Sequence, residues 1–121
     1  MKTLNKFFLT FSSILAFVSV QPALAQSETD TTMMVNGVCE MCKMTIEKAA
    51  DIKGVSKAEW DVESKILTLV YDREVTSLEA ISTSINESGY DTEFNTASDE
   101  AYKSLHKCCY YRDPEVVKTH Q

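Results

Sequence analysis

Apolar positions in the first half of the chain change from a strand-like run to a helical period near residue 40. Met33–Val35 is a short apolar run typical of a β-strand, and Asn36-Gly37 after it is a turn signal. From Cys42 onward the apolar spacing is three and four residues, which predicts a helix that ends at Gly54. The buried face of this helix is expected to consist of Ile46, Ala49 and Ala50.

The next segment alternates apolar and polar residues, which predicts a β-hairpin. Ala58, Trp60 and Val62 share one face of a strand, and charged residues separate them. A polar turn, Glu63–Lys65, leads into Ile66–Tyr71. This second strand is the most apolar one, so we expect it at the centre of the sheet.

A second helical period and a short final run complete the domain. Residues 76–79 (TSLE) form a capping box that starts a helix, and Gly89 ends it. The buried stripe of this helix is expected to be Leu78, Ile81 and Ile85. Tyr90–Asn95 is then expected to form the last strand. The order β-α-β-β-α-β predicts an α+β fold, the ferredoxin-like βαββαβ sandwich.

The N-terminal region has the pattern of a secretory signal. Lys2 and Lys6 precede an apolar run, Phe7–Val20, and residues 23–25 (ALA) match an A-x-A cleavage pattern. The run is shorter than the roughly 20 residues of a membrane-spanning helix, so we expect export to the periplasm without stable membrane association. The predicted parts are a signal peptide (1–25), a flexible lead (26–30), the domain (31–95) and a C-terminal arm with a short helix (96–121).

The net charge limits the class of partner. The chain has a formal net charge of −6, which becomes more negative once Lys2 and Lys6 leave with the signal. This acidity argues against nucleic-acid binding, which needs a clustered basic face. It suits a protein that meets cationic species or basic partner surfaces. The sequence shows no convincing paired-carboxylate, nucleophile–base or phosphate-loop motif, so no enzymatic activity is expected.

Two cysteines lie at the predicted junction between the first strand and the first helix. Cys39 falls in the loop and Cys42 on the first helical turn, where the helix dipole favours a thiolate. Thiolates are preferred ligands of soft ions such as Cu(I) and Hg(II), and they also bind Zn(II). The same spacing occurs in redox proteins, so a thiol–disulfide oxidoreductase that uses this pair is the alternative function.

Together these motifs resemble the heavy-metal-associated domain family, whose members include copper chaperones and periplasmic mercuric-ion binding proteins. The resemblance covers Thr31–Phe94 and rests on the runs NGVCEMCKMTIEKAA, GVSKAEWDV, ILTLVYD and ISTSINESGYDTEF. It implies that Cys39 and Cys42 bind the metal and that Tyr90 shields it. The implied cargo is Cu(I), with Zn(II) or Hg(II) as alternatives, and the implied partner is a metal transporter or another thiol-rich metal-binding domain.

Two positions in the cysteine loop depart from the family pattern. The family usually has a methionine under the loop, two residues before the first cysteine, where this chain has Gly37. Val38, Met41 or Met44 is expected to replace that support. Glu40, between the cysteines, opposes thiolate formation by its charge. It also offers a hard oxygen ligand, which favours Zn(II).

The C-terminal arm carries a second pair of thiols, Cys108 and Cys109, close to His106. In one interpretation the arm folds back, and these side chains complete a four-coordinate metal site. In the other, the thiols form a disulfide with another chain or with Cys39 or Cys42, which an oxidising compartment permits. The sequence leaves both interpretations open.

Overall fold

The computed structural model of the protein describes residues 27–121, so the predicted signal peptide at 1–25 lies outside the described residues. The elements follow the order β-α-β-β-α, with short helical segments after them. They are β1 (Glu28–Met34), α1 (Glu40–Ala50), β2 (Val55–Trp60), β3 (Ile66–Asp72), α2 (Leu78–Glu87), α3 (Asp99–Lys103), a 3₁₀ turn (Lys107–Cys109) and α4 (Pro114–Lys118). No helix in this described part is long and apolar enough to cross a membrane.

The sheet has three antiparallel strands in the order β1-β3-β2, so the predicted central strand is confirmed. β1 begins earlier than predicted, because Glu28 already pairs with Asp72 of β3. Residues 28–30 therefore belong to the sheet, and the prediction that 26–30 is a flexible lead was wrong for them. Strand pairing uses backbone N–H and C=O groups, which polar residues supply as well as apolar ones do.

The predicted last strand, Tyr90–Asn95, is reduced to a single bridge between Val35 and Thr92. The chain turns here, since the Thr92 N–H donates to the Asn95 carbonyl at 2.9 Å. The buried Ser82 hydroxyl contacts the side chains of both Thr92 and Asn95. These side-chain contacts favour a turn over an extended backbone, so the pairing with β1 stops after one bridge.

The apolar stripes of α1 and α2 form the core with the sheet, as predicted. The completely buried members of this core include Met33, Ile46, Ala50, Leu67, Leu69, Ile81 and Ile85. α2 starts at Ser77, whose hydroxyl accepts a hydrogen bond from the Ala80 N–H at 3.1 Å. The predicted capping box placed the cap one residue earlier, at Thr76.

The C-terminal arm, residues 96–121, is folded against the domain. Ser98 caps α3, which confirms the predicted short helix. The Tyr111 hydroxyl donates to the Gly89 carbonyl at 2.8 Å, directly after α2. Farther along, α4 packs Val116 and Val117 against the core. The arm is therefore part of the fold rather than a loose end.

An ion pair between Arg112 and Asp91 anchors the arm. The guanidinium donates to both carboxylate oxygens of Asp91, at 2.8 and 3.2 Å, and to the Ala97 carbonyl at 2.9 Å. It also lies over the Tyr102 ring, 4.4 Å from the ring centroid. Burial raises the pKa of Asp91, but hydrogen bonds from Arg112 and the Ala97 N–H outweigh this effect and lower the pKa below its ordinary value. The charged pair is thus stabilised in the folded state.

We predict that Arg112→Leu lowers the free energy of unfolding by about 2 kcal/mol, because the buried Asp91 carboxylate loses its charged partner. Urea unfolding at pH 7 measures this loss. The matched control is Lys118→Leu, since Lys118 pairs with Glu115 where both side chains are exposed. It should cost about 0.5 kcal/mol or less. Equal losses in the two variants would contradict the anchoring role.

The same pair predicts a pH dependence of stability. The pKa of Asp91 is lower in the folded state, so its contribution is present above the ordinary value of 3.8 and is lost as the pH falls below it. The stability deficit of Arg112→Leu should therefore be full at neutral pH and shrink below pH 3.8. Urea unfolding at several pH values measures it. A deficit that stays constant across this range would argue against the assignment.

Candidate metal centre

Cys39 and Cys42 lie at the start of α1. Cys39 is the N-cap residue with an extended backbone, and Cys42 follows on the first helical turn. Their Sγ atoms are 3.5 Å apart. Cys42 is completely buried, whereas Cys39 is partly accessible to solvent. The structure thus brings the two thiols together at the loop and helix positions that the sequence predicted.

The loop before Cys39 rests on the indole ring of Trp60. A Cβ atom at Gly37 would lie 2.9 Å from Trp60 Cη2 and 3.1 Å from Ile46 Cδ1, so glycine is required beside the ring. The indole N–H donates to the Val35 carbonyl at 3.0 Å. The aromatic ring therefore occupies the space under the loop that a methionine fills in the family pattern.

The expected replacements for that methionine take different places. Val38 is buried in the core, but Met41 and Met44 are 45 % and 73 % exposed. Of the three expected replacements, neither methionine therefore fills the space under the loop, whereas Val38 does lie in the core. The sequence contained a signal that Trp60 supports the loop. A glycine replaces a large residue in the loop, and a tryptophan ends the strand that follows α1.

A polar contact ties Trp60 to α1 and so fixes the position of Cys42. Lys43 Nζ donates to Glu47 Oε2 and to the Trp60 carbonyl, both at 2.7 Å. Glu47 Oε2 also accepts from the Trp60 N–H at 2.9 Å. Both helix side chains thus satisfy backbone groups at the end of β2.

The arm brings Cys108 and Cys109 to the same place. Cys109 is 2 % exposed, and its Sγ lies 3.8 Å from Cys39 Sγ and 3.9 Å from Cys108 Sγ. The sulfur atoms of Cys39, Cys108 and Cys109 all lie within 4.8 Å of one another. Each of these cysteines, like Cys42, is a free thiol in the described chain.

Sulfur spacings in this cluster suit a shared metal ion. A tetrahedral ion with metal–sulfur bonds of about 2.3 Å holds its sulfur ligands about 3.8 Å apart. The observed contacts of Cys39 with Cys42 and Cys109, at 3.5 and 3.8 Å, are close to that value. These two distances are those expected of thiolates that share one ion.

Within residues 27–121, the group of neighbouring ligand atoms around Cys39 contains sulfur alone. Glu40 and His106 were considered as oxygen and nitrogen ligands, but neither belongs to this group. Glu40 is exposed on the first turn of α1, and His106 is exposed before the 3₁₀ turn. His120 is exposed in the last residues of the arm. The cluster is therefore a soft donor set.

Tyr90 closes the inner side of the cluster. Its side chain is completely buried, and its hydroxyl has no hydrogen-bond partner among the described residues. Burial, together with the nearby thiols of Cys42 and Cys109, raises the pKa of this hydroxyl. The ring stacks on Tyr111 of the arm at a centroid distance of 5.7 Å. Tyr90 thus packs between the core and the arm, on the side of the buried thiols.

The buried thiols differ in acidity. Burial opposes ionisation of Cys42, but contacts from the Val38 backbone, the Tyr90 hydroxyl and the Cys109 thiol lower its pKa. Burial raises the pKa of Cys109, and its neighbour Cys42 raises it further. Cys42 is therefore the more acidic thiol of this pair, which suits its place on the first turn of a helix.

We predict that Gly37→Met destabilises the protein by about 2 kcal/mol, because the new side chain collides with the Trp60 ring. Trp60→Leu alone should cost about 3 kcal/mol through the cavity that it leaves. Combined, the two changes should cost at least about 1 kcal/mol less than their sum, since the methionine fills the vacated space. Urea unfolding of all three variants tests this coupling. Gly37→Met with the exposed Lys48→Ala is the control and should be additive.

Comparison with known proteins agrees with this geometry. Residues 32–91 match the model of the heavy-metal-associated domain family. The mercuric transport protein periplasmic component of Shewanella putrefaciens is 31% identical over 83 residues, which cover 68% of this chain and 90% of the relative. The protein of the same name from Pseudomonas aeruginosa is 27% identical over 81 residues, or 66% of this chain and 89% of that relative.

Solved structures show the same fold. The CopZ metallochaperone has a TM-score of 0.51 at 27% identity, and the match covers 53% of this chain and 98% of CopZ. Oxidized MerP from Ralstonia metallidurans CH34 has a TM-score of 0.52 at 26% identity, over 55% of this chain and 94% of MerP. The ferredoxin-like class is therefore confirmed, although its last strand is short here. On this fold and these matches, the chain belongs to the heavy-metal-associated domain family.

Proposed function

We propose that this protein binds a soft metal ion on the thiolates of Cys39 and Cys42 and passes it to an acceptor protein. The observation that carries the proposal is the contact between Cys39 Sγ and Cys42 Sγ, 3.5 Å apart at the start of α1. Soft ions select thiolates over oxygen and nitrogen ligands. The helix N-terminus adds a positive potential that favours the charged thiolates.

The arrangement favours transfer of the ion over permanent storage. Cys42 is buried beside Tyr90, whereas Cys39 is partly accessible. An acceptor thiolate can therefore bond to the ion from the Cys39 side before the inner bond breaks. Support for the loop comes from Trp60 and the core, so the site does not depend on the ion for its shape.

Cu(I) is the first candidate for the cargo, and Hg(II) is the second. The donor set suits both, and the named relatives include a metallochaperone and mercuric transport proteins. Zn(II) usually takes four ligands. Because Glu40 and His106 lie outside the cluster, a zinc site here would need thiolates from both the loop and the arm.

The periplasm is the proposed location, and a metal transporter or another thiol-rich metal-binding domain is the proposed acceptor. The N-terminal signal pattern supports export, and the matched mercuric transport proteins are named periplasmic components. A carrier of this kind needs no enzymatic activity. No observation favours the alternative, a thiol–disulfide oxidoreductase.

We predict that the double variant Cys39→Ser/Cys42→Ser lowers the affinity for Cu(I) or Hg(II) at least about 100-fold, because two thiolate ligands are lost. Competitive titration of the reduced protein with Cu(I), Hg(II) and Zn(II) measures this change. His106→Ala is the matched control and should bind like the unaltered protein. Equal binding by the double variant and the unaltered protein would refute the site. After chelator treatment the unaltered protein should stay folded by circular dichroism, unlike a domain that needs a structural zinc ion.

A further inference from the structure

A second pair of sulfur atoms lies at the surface next to the proposed site. Cys108 Sγ is 3.9 Å from Met41 Sδ. Both side chains reach solvent, since Met41 is 45 % exposed and Cys108 is also exposed. A thiol and a thioether are both soft ligands. The two-thiolate site of Cys39 and Cys42 requires neither of them.

A series of neighbouring sulfur atoms runs from this outer pair to the buried thiol of Cys42. Cys108 lies 3.9 Å from Cys109, Cys109 lies 3.8 Å from Cys39, and Cys39 lies 3.5 Å from Cys42. Exposure differs strongly between the two ends, because Cys108 is exposed and Cys42 is completely buried. The series therefore connects solvent with the interior in steps shorter than 4 Å.

Two overlapping sets of thiols share the middle of this series. The outer set is Cys39, Cys108 and Cys109, whose sulfur atoms lie within 4.8 Å of one another. The inner set is Cys39 and Cys42, whose sulfur atoms are 3.5 Å apart. Cys39 belongs to both sets, so an ion can move between them while it stays bonded to Cys39.

Contacts of the arm hold Cys109 in place. Tyr111, two residues later, bonds to the Gly89 carbonyl and the Asp91 N–H, and Arg112 pairs with the Asp91 carboxylate. The Cys108 side chain, in contrast, faces Met41 at the surface. The two adjacent cysteines therefore differ, because the Cys109 thiol is buried and the Cys108 thiol is exposed to solvent.

We propose that Cys108 and Met41 form an outer binding site at which the soft ion first attaches and from which it leaves. Cys109 then relays the ion between this site and Cys39 and Cys42. The inference deepens the metal-transfer function and rests on it. In each step one metal–sulfur bond forms and one breaks. A thiol that bonds to the ion releases its proton and a thiolate that leaves it takes one up, whereas the Met41 thioether exchanges no proton. Ligand exchange of this kind changes no oxidation state.

The test compares rates with equilibria. Reduced protein is mixed with Cu(I) as its bicinchoninate complex, whose absorbance reports both the rate of transfer and the end point. Cys108→Ser should slow uptake at least about 10-fold and change the affinity less than about 3-fold, since it removes only the first attachment point. Met41→Leu should slow uptake about 3-fold. Met44→Leu is the matched control, because Met44 is a 73 % exposed methionine on the same helix, and it should leave the rate unchanged.

Three results would overturn the relay. If Cys108→Ser takes up Cu(I) at the same rate as the unaltered protein, Cys108 does not form an outer site. A joint loss of rate and affinity in Cys108→Ser would make Cys108 an equilibrium ligand of one closed site. If Met41→Leu and Met44→Leu take up Cu(I) at the same rate, the Met41 thioether is not part of the outer site. If the unaltered protein fails to bind Cu(I), or Hg(II) supplied as its glutathione complex, the proposed function itself is refuted. The end point of the uptake experiment with the unaltered protein is enough to detect this failure.

Discussion

The contact between the Trp60 ring and Gly37 determines the shape of the loop that carries Cys39. The ring is almost completely buried, and it leaves no room for a side chain at position 37. Its indole N–H bonds to the Val35 carbonyl at the end of β1. Lys43 and Glu47 bond to the backbone of the same residue from α1. Trp60 therefore connects β1, through its indole N–H, with α1, through its backbone, which fixes the two elements on either side of the loop.

The arm adds two thiols that lie outside the family match, which ends at Asp91. Its attachment starts at this same residue, because Arg112 pairs with the Asp91 carboxylate and Tyr111 bonds to the Asp91 N–H. The Tyr90 and Tyr111 rings stack beside these contacts. Polar and aromatic contacts together hold Cys109 against Cys39. A domain that resembles a two-thiol carrier thus gains a second buried thiol from its own chain.

Prediction from sequence succeeded where a structure depends on local spacing. The helical period of Ile46 and Ala50, and the apolar run at Ile66–Tyr71, correctly indicated α1 and the central strand. It failed where side chains from different segments compete for the same backbone. Ser82 and Asn95 hold a turn where the apolar pattern predicted a strand. Such contacts between distant side chains cannot be predicted from the spacing of apolar residues along the chain.

The sequence by itself determined that Cys39 and Cys42 lie together, because three residues at the start of a helix separate their side chains by less than one turn. Only the tertiary structure decided that Cys109 joins them. Cys39 and Cys109 are 70 positions apart, and their distance depends on the direction in which the arm leaves α3. Contacts of Tyr111 and Arg112 with the end of the domain set that direction. Local spacing predicts neighbours within one helix, whereas contacts between distant segments require the packed chain.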